Sequence, residues 1–115
     1  MTEETMTEET MTEETWTTIS RLVRWLDEKD NAATTEQVRL LRLFKLQEEV
    51  GEVAQATMGA VAANPRKGAS HTWEDVQHEL CDVILTGMVA LRTLTPDAGK
   101  VFQERLGVVA ERSLS

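Results

Sequence analysis

One cysteine, Cys81, stands alone in the chain. No intrachain disulfide can form, which is what a reducing cytoplasm leads one to expect. Long apolar runs are missing too, so no segment reaches the length of a membrane span. The start carries no basic stretch followed by an apolar core, so no secretory signal is expected. Basic residues are outnumbered, 12 against 20 acidic ones. Motifs that announce other chemistries are equally absent. There is no Gly-x-x-x-x-Gly-Lys-Ser/Thr phosphate loop, no His-Glu-x-x-His, and no Cys or His pairing at zinc spacing. Nowhere do β-branched residues alternate with period two, which excludes a sheet protein. The reading is a soluble, cytoplasmic, all-α chain.

What is present is small and unevenly charged. A chain of 115 residues makes one domain, and one of that size gains from oligomerising because it buries a modest share of its surface. The net charge of −8 is mostly a matter of one end. Met-Thr-Glu-Glu-Thr occurs three times over residues 1–15 and holds six of the 20 acids. Without it the balance is 14 acids to 12 bases, yet those acids remain clustered. Clustered acids suit a cation better than a nucleic-acid polymer. A period of five matches neither helix face nor strand, so residues 1–15 are expected as a disordered low-complexity tail. The alternative is a helical extension ordered by a neighbouring subunit. Residues 16–115 form the folded domain.

Along that domain the apolar positions Trp16, Ile19, Leu22, Val23 and Leu26 make one helical stripe. Thr34 then stands three before Gln37, the spacing of a capping box, and opens a long helix through Val61. Gly51 interrupts that helix at a cost of roughly 1 kcal/mol relative to Ala, which suggests that bulk is unwelcome there. Asn64-Pro65-Arg66-Lys67-Gly68 breaks the chain. Thr72, three before Asp75, caps a third helix running to about Leu91. Thr95-Pro96-Asp97 reads as the start of a fourth, with Thr as cap and Pro in the first helical position. Four helices result, the two middle ones longest.

The chemistry gathers in those two. Glu49 and Glu52 are three apart and share a helix face, with Glu48 within one turn of Glu52; Glu79 and Asp82 repeat the spacing on the next helix. If the helices run antiparallel, these carboxylates converge. Unpaired, they would repel and be costly to bury. A hard divalent cation relieves that, and Mg²⁺ takes carboxylate and phosphate oxygens together. Solvated acids paired with bases are the plainer alternative; Lys45 is placed for Glu49, but no base is near Glu79 or Asp82. A di-iron bundle would want Glu-x-x-His twice, whereas Glu-x-x-Asp favours Mg²⁺ or Mn²⁺. Arg66 and Lys67 lie on the connection between the acidic helices, as exposed loop charges or as contacts for phosphates bridged by a cation. Trp73 is core or a base-stacking surface. Trp16 joins the first stripe, while Trp25 falls beside it, at a subunit contact. His78 points about a hundred degrees away from Glu79, His71 is a loop residue without a role, and Cys81 reads as a small core filler.

The acidic pattern, Glu48-Glu49-x-x-Glu52, then 26 residues, then Glu79-x-x-Asp82, resembles the signature of the MazG-like, all-α nucleoside triphosphate pyrophosphohydrolases. The likeness runs from about Trp16 to the C-terminus. Asn-Pro-Arg-Lys-Gly at 64–68, His-Thr-Trp at 71–73 and Arg-Thr-Leu-Thr-Pro at 92–96 look like short actinobacterial members. The resemblance implies a four-helix bundle with two long central antiparallel helices, completed by assembly as a homodimer or homotetramer. It implies Mg²⁺-dependent cleavage of a (deoxy)nucleoside triphosphate to the monophosphate and pyrophosphate, by water attacking the α-phosphorus. Nucleotide-pool control or house-cleaning would be served. Carried over, Glu49, Glu52, Glu79 and Asp82 are metal ligands; Glu48 and Glu49 are the catalytic acids, with Glu48 a ligand or the water-orienting base. From their own placement, not from the resemblance, Lys45, Arg66, Lys67 and Trp73 are the expected substrate contacts, with Arg66 and Lys67 as clamps on the β,γ-phosphates. Many relatives carry Lys-x-x-x-Asn near the last helix; here Lys100 is followed by Glu104, and Arg112 is a weak match to a terminal basic position, so the nucleobase stays open. Two rivals are phosphoribosyl-ATP pyrophosphatase activity and a non-catalytic helical interaction or regulatory module.

Overall fold

Helical periodicity without alternation predicts helices alone, and a computed structural model shows helices alone among its described residues. The backbone is described over residues 3–114 and the side chains over residues 12–114. The elements are α1 (Glu3–Lys29), α2 (Thr35–Ala60), α3 (Trp73–Leu94) and α4 (Ala98–Leu114). Among the described residues, no helix is long and apolar enough to cross a membrane. The expected tail at 1–15 falls largely on side chains outside the described residues; the backbone of α1 is helical from Glu3. At 27 residues α1 is therefore no shorter than α2 at 26. A stripe that nucleates a helix lets it propagate into neighbouring sequence more readily than that sequence could start one.

The helix starts follow local chemistry. Thr34 Oγ1 accepts from the Gln37 N–H at 3.1 Å while Gln37 Oε1 accepts from the Thr34 N–H at 2.9 Å. This capping box satisfies two of the orphan donors of α2. Thr72 and Asp75 do the same for α3, at 3.1 and 2.9 Å. The fourth start differs from expectation. Thr95 Oγ1 accepts from the Asp97 N–H, and the Asp97 carbonyl accepts from the Val101 N–H. Asp97 thus stands at the cap and α4 begins at Ala98 rather than Pro96.

The chain divides into two units, one holding α1 and everything from Leu91 on, the other Ala33–Ala90. Within the first, Ile19, Val23 and Ala98 are buried. Trp16 stands against Phe102 with ring centroids 6.4 Å apart, and Arg92 Nε donates to Ser20 Oγ at 3.1 Å. Trp25 lies at the surface, with Lys29 Nζ 5.4 Å from its ring centroid.

The second unit is a helical hairpin. Gly59 of α2 meets His71, just before α3, and Gly87 of α3 lies against Leu46 of α2. Contacts thus step back along α2 as they step forward along α3, so the two run antiparallel. The turn between them is tightly held. Ala62 N–H donates to the Gly59 carbonyl and Ala63 N–H to the Met58 carbonyl, with Ala62 left-handed at φ 55°. That is a Schellman ending, a place usually taken by Gly. Asn64 then organises the loop: its side chain accepts from the Arg66 N–H, and its carbonyl accepts from the N–H groups of Lys67 and Gly68. Gly68 takes φ 63°.

Candidate metal centre

Antiparallel packing brings the acids of α2 and α3 together. Glu49, Glu79 and Asp82 each place one carboxylate oxygen within 4.8 Å of the others. Glu49 and Glu79 are half-buried and Asp82 is exposed. Burial pushes the Glu49 carboxyl above its ordinary value, and the Glu52 charge pushes it further, against the opposing pull of Lys45. Glu79 rises for the same two leading causes, burial and then Glu52. Glu79 Oε2 is shut off from solvent and accepts no hydrogen bond. Glu52 bears on both Glu49 and Glu79, and as carboxylates none of the three can donate a hydrogen bond. Each half-buried acid is thus surrounded by like charge.

The counter-charge at hand is incomplete. Lys45 Nζ lies 3.0 Å from Glu48 Oε2 and 3.8 Å from Glu49 Oε1. Its own pKa is raised, first by the hydrogen bond it donates to Glu48. Lys45 therefore spends its best contact on Glu48, whose side chain is 58% exposed against 12% for Glu49. Glu48 stands outside the three-carboxylate cluster. An all-oxygen donor set with an orphaned buried oxygen fits a hard divalent cation such as Mg²⁺ or Mn²⁺.

Other expected contacts scatter. Arg66 is an exposed loop side chain, and Trp73 opens α3 with 58% of its surface exposed, so it is no core residue. Cys81 is exposed, not a core filler. It adjoins Leu80, itself 46% exposed, on a helix so apolar that sequence leaves the buried face ambiguous. A Cβ at Gly51 would meet no atom within 4 Å, so no neighbouring side chain crowds it. The crowded glycine is Gly59, where a Cβ would collide with His71 Nδ1 and come within 2.6 Å of Ser70 Oγ.

No family model matches the chain, and neither the curated proteins nor the solved structures yield a match.

Sequence reasoning missed two further features. Arg42, 7% exposed, is buried on α2; its place seven residues before Glu49 puts it on the same face, a signal available from spacing alone. The second is the pairing of Ser70 Oγ with His71 Nδ1 at 2.9 Å beside Gly59, which no local pattern announces.

Proposed function

We propose that the protein is a divalent-cation-dependent nucleoside triphosphate pyrophosphohydrolase of the MazG-like kind. The observation that supports this best is the convergence of Glu49, Glu79 and Asp82 on one patch with Glu79 Oε2 unsatisfied. Glu49, Glu79 and Asp82, with Glu52 beside them, would hold Mg²⁺, and Mn²⁺ would serve in its place. A bound cation supplies charge neutralisation for the phosphate oxygens around the reacting centre. The chain's own part is placement. Glu48, exposed and paired with Lys45, can accept a proton from a water entering beside Glu49. Lys45, between Glu48 and Glu49, would meet a phosphate oxygen. Trp73, on the surface at the head of α3, offers a face for a base.

The same reading assembles the chain as a homodimer or homotetramer. Supporting it, Leu41, Phe44 and Ile84 are each at least 60% exposed, more apolar surface than a lone small domain ordinarily shows.

Turnover decides the matter. Incubated with (d)NTPs and Mg²⁺, the protein should release monophosphate and pyrophosphate in equal amounts. Asp82→Asn and added EDTA should each abolish release. Conversion of phosphoribosyl-ATP alone would move the assignment to that activity, and diphosphate with free phosphate would refute the α-phosphorus chemistry. Silence toward every nucleotide, with cation-dependent stabilisation intact, would leave a non-catalytic module.

A further inference from the structure

A second feature of the Ala33–Ala90 unit lies beyond the carboxylates. Where α2 ends, a pocket of about 290 Å³ is lined by Gln55, Gly59, Asn64, Lys67, Ser70 and His71 among others. No carboxylate lines it, although the chain as a whole carries −8. Its polar groups are biased toward donation. The Asn64 side-chain oxygen is engaged by the Arg66 N–H, which leaves its NH₂ to face a ligand. Ser70 Oγ and His71 Nδ1 are bonded to one another, so Nε2 is the ring nitrogen left to meet a ligand. Lys67 adds a full positive charge on a backbone held by two bonds to the Asn64 carbonyl. The last carbonyls of α2 would oppose an anion, but the N–H groups of Ala62 and Ala63 already occupy those of Gly59 and Met58.

Its position matches the carboxylate cluster. Gly59 is seven residues from Glu52, two helical turns along the same face, or roughly 10 Å. We infer that this pocket is an anion subsite that receives the terminal phosphates of a substrate whose α-phosphate sits at the carboxylates. The phosphate role rests on the hydrolase reading; the anion specificity stands without it. Lys67, His71 and Asn64 would meet the β- and γ-phosphates, and Arg66, outside the pocket, would not. Gly59 is the residue that lets His71 and Ser70 in, because any side chain there displaces both.

Calorimetric titration of the whole protein with inorganic pyrophosphate, in Mg²⁺, tests this. Wild type should bind, and Lys67→Ala should weaken binding about tenfold or more, as expected on losing a charge-assisted hydrogen bond. Lys67→Arg should bind within a few-fold of wild type. His71→Gln and Gly59→Ala should weaken binding too, with thermal melts confirming that each variant is folded. Pyrophosphate affinity unchanged in Lys67→Ala and His71→Gln would overturn the inference, as would a wild type that binds a nucleoside but not pyrophosphate. The two readings fail separately. A protein that cleaves no nucleotide but loses pyrophosphate binding on Lys67→Ala keeps the anion subsite and loses the hydrolase. One that cleaves triphosphates with unchanged pyrophosphate binding in the variants does the reverse.

Discussion

Glu79 is the least satisfied side chain in the carboxylate cluster, since its Oε2 is shut off from solvent and accepts no hydrogen bond. A folded-state carboxyl raised by burial and by Glu52 holds its proton more tightly than the unfolded chain does. The native state therefore binds more protons over the window above the ordinary carboxylate value. Stability is fullest below that value and falls as pH climbs through the raised one. Glu49 shifts the same way. Cation-free protein should thus melt at lower temperature at pH 7 than at pH 5, and Glu79→Gln should remove part of that fall. Mg²⁺ at a hundred times its Kd should restore about 2.7 kcal/mol to wild type at pH 7, and little to Glu79→Gln. Differential scanning calorimetry with and without Mg²⁺ reads both; a cation-free melt that rises from pH 5 to pH 7 would contradict the charge account.

At the scale of the element, what was legible in the sequence was local. Thr34 with Gln37 and Thr72 with Asp75 mark helix starts because each bond closes within three residues. The α4 start lies two residues beyond Pro96 because Thr95 forms a turn with Asp97 instead of capping a helix at Pro96. The acids were legible as a face through their spacing, but which of them meet depends on how the hairpin registers. Registration drew Glu49, Glu79 and Asp82 together and left Glu48 outside with Lys45. Glycines were the hardest to read. Gly51 sits among acids, yet its surroundings are open, while Gly59 answers to a contact twelve residues away. Two substitutions test this. Gly51→Ala should stabilise by about 1 kcal/mol, since helix propensity is all that changes. Ala62→Gly should stabilise by about 1 kcal/mol, relieving a left-handed Ala at the end of α2. Urea denaturation at matched m-values measures both, and a loss in either variant would show that the local account is incomplete.

Across the whole molecule, buried apolar side chains are small or few: Ala56, Ala90 and Ala98 beside Ile19, Val23 and Val76 among the described residues. Meanwhile Phe44 is 65% exposed and Ile84 61%. The proposed assembly would cover such surface. Light scattering on the eluted protein should give a mass at least twice 12.9 kDa, and Phe44→Glu should lower it. A monomer at all concentrations would remove the assembly without touching the carboxylates. Those carboxylates carry everything else, and direct cation binding addresses them without relying on turnover. Mn²⁺ titration followed by electron paramagnetic resonance should show tight, saturable binding to wild type, displaced by Mg²⁺ and lost in Glu79→Gln and Asp82→Asn. Binding that is absent in wild type, or equally strong in both variants, would contradict the claim that α2 and α3 fold to hold a divalent cation.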